Sequence, residues 1–109
     1  MTVKELVDKF DLEIVAGPDL EKEVEGVYIG DLLSNVMARA EKNNLWLTVQ
    51  GHQNAAAVAL LVELSAVILV EDFNYEENTV QRASQKGVNL LKTEKKAYEL
   101  ACVFCENKI

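Results

Sequence analysis

The sequence is short of histidine and cysteine, the residue types that usually form structural zinc sites. Among its 109 residues it has one histidine, His52, and two cysteines, Cys102 and Cys105. A structural zinc site usually takes four nitrogen or sulfur ligands, so a single chain cannot complete one from these residues. We therefore predict no metal site, and the sequence indicates no particular cofactor.

The two cysteines form a Cys-x-x-Cys pair late in a helical pattern near the carboxyl end of the sequence. Redox pairs of this spacing usually follow a strand and lie at the amino terminus of a helix, where the thiolate is stabilised. Leu100, Val103 and Phe104 surround this pair instead. We expect both thiols to pack as small hydrophobic groups, with a redox or metal role as the alternative.

Basic residues are in the minority. The chain has 11 Lys and Arg against 18 Asp and Glu, a net charge of −7, and this balance opposes binding to nucleic acid or to an anionic membrane. The chain does not begin with a basic segment followed by an apolar run, and no apolar stretch is long enough to span a bilayer. We therefore expect a cytoplasmic protein.

Hydrophobic residues, in contrast, are sufficient for one globular domain over residues 1–109. They make up 50% of the chain, and charged residues make up 27%, which is typical of a folded domain. Apolar patterns predict strands and helices that alternate along the chain. The predicted strands are 12–16, 27–29, 45–49, 66–70 and 88–91, and the predicted helices are 3–10, 32 to about 43, 53–64, 77–86 and one that begins at Thr93. This order predicts an α/β fold, a three-layer α/β/α sandwich with a mostly parallel central sheet.

The helix predicted at 53–64 is nearly all apolar and has three alanines in its first turns, at 55–57. We expect it to be buried on most sides, between the sheet and another element or a second subunit. Trp46, in the preceding strand, is expected to lie in the core or in a dimer interface.

A candidate site lies where the strand at 45–49 gives way to this helix. The turn between them concentrates polar residues, and free amides at a helix start can receive an anion or a polar ligand. Strand ends at 30–31, 71–72 and 92–93 are expected to meet the turn at one crevice. The predicted ligand-binding residues are Gln50, Gly51, His52, Gln53, Asn54, Asp31 and Ser34.

Each of these residues also has a structural interpretation. His52 could be a loop histidine bonded to a neighbouring backbone group, and Asp31 and Ser34 could be the cap and first turn of the next helix. Gly51 could provide a positive backbone dihedral or a close approach. The amides of Gln50, Gln53 and Asn54 could satisfy free backbone groups.

The segments Gly30-Asp31-Leu32-Leu33-Ser34 and Trp46-Leu47-Thr48-Val49-Gln50-Gly51-His52-Gln53-Asn54, followed by an alanine-rich helix and the strand at 66–70, resemble stand-alone members of the DRTGG-domain family. The resemblance covers about residues 12–100. It implies a module like those beside CBS domains in some regulatory enzymes, similar in fold to the amino-terminal domain of HPr kinase. The name-giving tract is absent, and its nearest counterpart is the turn at 51–53. A phosphate-binding Gly-x-x-x-x-Gly-Lys-Ser/Thr loop is also absent, so kinase activity is not implied.

Three functions follow as hypotheses. The first, which the resemblance favours, is a non-catalytic regulatory or interaction module, dimeric, that binds a small polar metabolite or nucleotide at residues 50–54 and acts on a partner enzyme. The second is a homo-oligomeric scaffold without a ligand, assembled through the helix at 55–64 or nearby strand edges. The third is an enzyme in which His52 acts as general base, oriented by Asp31 or Glu71.

Overall fold

The computed structural model describes all of residues 1–109 and contains five helices and five strands. The helices are α1 (Val3–Phe10), α2 (Leu33–Arg39), α3 (Gln53–Val62), α4 (Glu77–Lys86) and α5 (Ala97–Glu106). The strands are β1 (Glu13–Ala16), β2 (Val27–Ile29), β3 (Leu45–Thr48), β4 (Ala66–Leu69) and β5 (Leu90–Lys92). None of the helices is long and apolar enough to cross a membrane.

All five strands belong to one sheet in the order β1-β5-β4-β3-β2. Strands β2 to β5 pair in parallel, and β1 pairs antiparallel with β5 at one edge. The alternation of strand and helix after β2 requires crossover connections, which produce this parallel arrangement. The predicted mostly parallel sheet is therefore confirmed.

Side chains on the two faces of the sheet enter two separate cores. Leu45, Leu47 and Ile68 pack with α1 and α5 on one face. Trp46 and Val67 pack with α2, α3 and α4 on the other face. Since alternate residues of a strand point to opposite faces, every residue of β3 and β4 is buried. The result is the predicted three-layer sandwich, and Trp46 lies in the core with its indole N–H donating to the carbonyl of Gly30 at 2.8 Å.

Two helices begin later than the sequence pattern predicts. Asp31 was expected to cap α2, but α2 begins at Leu33 and its capping residue, Leu32, makes no side-chain hydrogen bond. The last helix begins at Ala97 and not at Thr93. The reason is that the amide of Thr93 donates to the carbonyl of Leu69 at 2.9 Å and so extends the pairing of β5 with β4.

The prediction that Cys102 and Cys105 pack as small hydrophobic groups is wrong. Both thiols are free and both residues are exposed. The buried side of α5 is formed by Leu100 and Phe104, and Phe104 contacts Phe10 of α1 edge to face, with 5.1 Å between ring centroids. The spacing of the cysteines places them on the opposite, outer side of α5.

Helix α3 is buried on one side only. Ala55, Ala56, Val58 and Ala59 face the sheet or the neighbouring helices. Leu60 and Leu61 are 45% and 71% exposed. The expectation of burial on most sides is therefore not met within one chain.

A tyrosine in the loop between β4 and α4 fastens this loop to the sheet. The hydroxyl of Tyr75 donates toward the carbonyls of Leu91 at 2.7 Å and Val67 at 3.1 Å. Burial raises the pKa of this hydroxyl well above its usual value of 10.0, because ionisation would leave a phenolate with little solvent.

We predict that Tyr75→Phe lowers the free energy of unfolding by about 1 kcal/mol at neutral pH, through the loss of this hydroxyl's hydrogen bonds. The native protein should lose stability above pH 10, where the unfolded tyrosine ionises and the folded one still holds its proton. Tyr75→Phe should show a shallower decline. Urea unfolding between pH 8 and pH 11 measures both effects. Tyr98→Phe is the control, since Tyr98 is 80% exposed, and an equal effect of both variants would contradict the assignment.

Candidate functional site

The carboxyl ends of the four parallel strands lie along one edge of the sheet, as predicted. The segments that follow them are joined in a row by hydrogen bonds between neighbours. Asp31 after β2 contacts the end of β3, and Gly51 after β3 contacts the loop after β4. Asp72 after β4 contacts Lys92, the last residue of β5, and Thr93 directly after it. The predicted segments therefore form a continuous polar edge.

Asp31 joins the ends of β2 and β3. Its carboxylate accepts hydrogen bonds from Oγ1 of Thr48 at 2.8 Å and from the amide of Val49 at 3.1 Å. In return, the side-chain amide of Gln50 donates to the Asp31 carbonyl at 2.9 Å. Asp31 and Gln50 thus hold the start of the 50–54 turn in place. Their buried partner is Thr48, which was not among the predicted site residues.

Gly51 is required by a close approach to the loop after β4. A Cβ at this position would collide with the carbonyl oxygen of Asn74 and lie 3.1 Å from Cα of Tyr75. The Gly51 carbonyl accepts from the amide of Glu76 at 3.0 Å and from Oγ1 of Thr79 at 2.9 Å. Of the two interpretations of Gly51, the close approach is therefore the one observed, since its φ is not positive.

Thr79 is a positioning residue that sequence reasoning missed. It is fully buried, although it lies in the polar pattern of α4, where a threonine in the first turn is expected to face solvent. Nothing in the local sequence marks its contact with Gly51, which is 28 residues earlier.

His52 caps helix α3. Its Nδ1 accepts a hydrogen bond from the amide of Asn54 at 3.1 Å, so in this arrangement Nδ1 carries no proton and Nε2 carries the ring N–H. Nε2 makes no hydrogen bond within the chain, and His52 is exposed. Nδ1 of the ring therefore has a structural role as the helix cap, and the N–H at Nε2 is free to donate to a ligand.

Several further donors at this turn are unpaired. The amides of Gly51, His52 and Gln53 donate to no acceptor in the chain. The side chains of Gln53 and Asn54 make no intramolecular hydrogen bond, nor does that of Ser34 in the first turn of α2. The helix dipole adds partial positive charge at the same place. The arrangement can receive an anion or a polar acceptor through neutral donors, because no lysine or arginine occurs in residues 50–54.

A polar cavity lies farther along the same edge, beyond the β4 end. It has a volume of about 350 Å³ and no hydrophobic lining residue. Lys92, whose side chain is 13% exposed, donates to Oδ1 of Asn74 at 2.6 Å and pairs with Asp72 at 3.2 Å. The lining residues are Asp11, Glu13, Asp72, Lys92, Thr93, Glu94 and Lys95. None of the seven predicted site residues lines this cavity, so the single crevice expected to join the strand ends is not observed, and only the ends at 72 and 92–93 meet there.

The hydrogen bonds required for catalysis by His52 are not formed. No hydrogen bond joins His52 to Asp31 or Glu71, and Asp31 is already engaged by Thr48 and Val49. A general base oriented by a carboxylate needs that contact. The geometry therefore does not support the enzyme hypothesis.

The fold and the polar strand-end edge define a small three-layer α/β domain, in which the crossover helices α2, α3 and α4 cover one face of the sheet and α1 and α5 cover the other. The chain belongs to the DRTGG domain family, whose family model matches residues 5–104.

Among solved structures, the chain is similar to the CBS and DRTGG domains of the regulatory region of Clostridium perfringens pyrophosphatase, complexed with the activator diadenosine tetraphosphate. The TM-score is 0.72 at 8% identity, over 92% of this chain and 44% of that chain. This similarity establishes the fold, and the present chain spans less than half of that structure. No curated protein matches the chain.

We predict that Gly51→Ala lowers the free energy of unfolding by about 1–3 kcal/mol, because the new methyl group overpacks the contact with the Asn74 carbonyl. Chemical denaturation measures the change. Gly30→Ala is the control, since a Cβ at residue 30 would meet only the ring of Tyr28. Equal stability of Gly51→Ala and the native chain would show that this close approach is not required.

Proposed function

We propose that this DRTGG domain is a non-catalytic regulatory module that binds a small polar metabolite or nucleotide at residues 50–54. The observation that carries the proposal is the set of three consecutive amides, those of Gly51, His52 and Gln53, that donate to no acceptor in the chain. Consecutive amides before a helix are a favourable place for a phosphate group.

The surrounding side chains suit a ligand that also has polar groups beyond its phosphate. Nε2 of His52 and the side-chain amides of Gln53 and Asn54 supply further donors, and the two amides also supply an acceptor each. The Asp31 and Gln50 contacts fix the turn before any ligand arrives, which lowers the entropy lost on binding.

The comparison with the pyrophosphatase supports the nucleotide class and the regulatory role. There a DRTGG domain belongs to the regulatory region of an enzyme whose structure contains a dinucleotide activator. In the proposal, this chain likewise acts in the cytoplasm on a partner enzyme, and the ligand is the signal that it transmits.

We predict that a nucleotide or phosphorylated metabolite at about one hundred times its Kd stabilises the native chain by about 2.7 kcal/mol. Thermal unfolding against a panel of adenine nucleotides, dinucleoside polyphosphates and sugar phosphates measures this shift. His52→Ala should remove both the cap, at a cost of about 1 kcal/mol, and the ligand contact.

His52→Asn is the matched variant, because asparagine can still cap α3 but has no ring N–H. It should keep the stability of the native chain and bind the ligand more weakly. If no compound on the panel shifts the native melting temperature, ligand binding at this turn is contradicted for those compounds.

The exposed side of α3 favours a second candidate function, assembly into a homodimer. Leu60 and Leu61 are adjacent and exposed, next to the exposed Ala57 and on a helix that contains no charged residue. A twofold axis would place two copies of this surface against each other and bury these leucines. Such a scaffold would not need a small molecule.

We predict that the native chain is a dimer and that Leu61→Glu converts it to a monomer, because the interface would then bury unpaired carboxylates. Analytical ultracentrifugation measures the mass. Phe73→Glu is the control, since Phe73 is also about half exposed but lies in the loop after β4. A monomeric native chain, or a dimer that persists in Leu61→Glu, would contradict this interface.

A further inference from the structure

The outer side of α5 presents two free thiols to solvent. Cys102 and Cys105 are both exposed, whereas Leu100 and Phe104 occupy the core side of the same helix. Free cysteine is among the most frequently buried residue types, since it packs as a small hydrophobic group and is readily oxidised when exposed. A pair of exposed thiols on one helix side therefore requires an explanation other than packing.

The helix geometry opposes a disulfide within the pair and permits a shared metal ion. Residues three apart on a helix have Cβ atoms about 5–6 Å apart, whereas a disulfide needs about 3.5–4.5 Å. Two sulfurs on one tetrahedral ion with bonds of about 2.3 Å are about 3.8 Å apart. Each sulfur extends beyond its Cβ, so Cys102 and Cys105 can reach that separation without unwinding α5.

The charge around the pair favours a cation. No lysine or arginine occurs between Lys96 and Lys108, and Glu99 and Glu106 are exposed beside the cysteines. The pair also lies toward the carboxyl end of α5, where the helix dipole favours positive charge. Redox-active thiols are found at the opposite end of helices, where the dipole stabilises the free thiolate.

One chain does not supply the remaining ligands. No group of three histidine, cysteine or carboxylate residues is placed to hold a metal ion, and His52 lies at the start of α3, on the other side of the sheet. No other element covers the outer side of α5, where Tyr98 is 80% exposed. A second copy of the same side can therefore approach it.

We propose that Cys102 and Cys105 are two of the four ligands of a tetrahedral thiolate site for Zn²⁺, and that the same two cysteines of a second copy complete it. A twofold axis through the ion relates the two pairs and yields a closed site with four sulfurs. Each thiol releases its proton to solvent as its sulfur binds the ion. This association uses α5 and is distinct from the one proposed for α3, on the opposite face of the sheet.

The test is a titration of reduced, metal-free protein with Zn²⁺, followed by analytical ultracentrifugation, and a parallel titration with Co²⁺ followed by absorption spectroscopy. We expect half an equivalent of Zn²⁺ per chain, a zinc-dependent doubling of the mass, and thiolate-to-cobalt charge-transfer bands. Chelator should reverse the association. The same titration of Leu61→Glu distinguishes the zinc-dependent association from a dimer formed through α3, because this variant should lack only the α3 dimer.

Cys102→Ser and Cys105→Ser are the informative variants, since both side chains are exposed and neither change should affect folding. Each should lose the mass doubling and the charge-transfer bands. Zinc binding that persists in the double serine variant, or an absence of thiolate bands, would overturn the site. One ion per chain without a change in mass would overturn its completion by a second copy.

Discussion

The constraint on which the rest of the structure depends is the burial of the β3 and β4 pair on both faces. Every residue of these two strands is buried, so helices must cover the sheet on each side, and the polar backbone groups of the connections must lie at its edges. The carboxyl-terminal edge collects four such connections because β2 to β5 are parallel. The polar site residues are therefore adjacent as a consequence of the core.

The fold was predictable from the sequence because two patterns that indicate it lie within short stretches of the chain. The unbroken apolar runs at β3 and β4 indicate strands buried on both faces, and the alanines at the start of α3 indicate a helix packed closely on a sheet. The helix starts at α2 and α5 were less predictable. Aspartate is a residue type that often caps helices, but the Asp31 carboxylate accepts hydrogen bonds from Thr48 and Val49 at the end of the neighbouring strand instead. Such contacts between residues distant in the chain leave no mark in the sequence pattern.

In the candidate site, too, the features with a local sequence pattern were predictable and those that depend on contacts between distant residues were not. The turn at 50–54 was found from the change from apolar to polar residues, and His52 does lie at the start of α3. What holds the turn was not found, since Thr79 and Asn74 reach Gly51 from a loop and helix more than twenty residues away. The cysteine pair was misjudged for a similar reason. Periodicity places Cys102 and Cys105 on one side of a helix, and the burial of Leu100 and Phe104 shows that the other side faces the core.

Helix α3 gives the proposed ligand site a physical route to the proposed dimer surface. His52 caps its amino terminus, and Leu60 and Leu61 lie near its other end, about 12 Å away at the rise of an α-helix. A ligand that bridges the free amides of the turn would stabilise the first turn of α3, whose own side-chain cap is a single hydrogen bond that the Asn54 amide donates to the His52 imidazole. Such a ligand changes the dimer affinity only if it binds the dimer and the monomer with different free energies. Gly51 is held against the loop after β4 by its contacts with Glu76 and Thr79, so we expect such a difference to come from a movement of α3 as a whole.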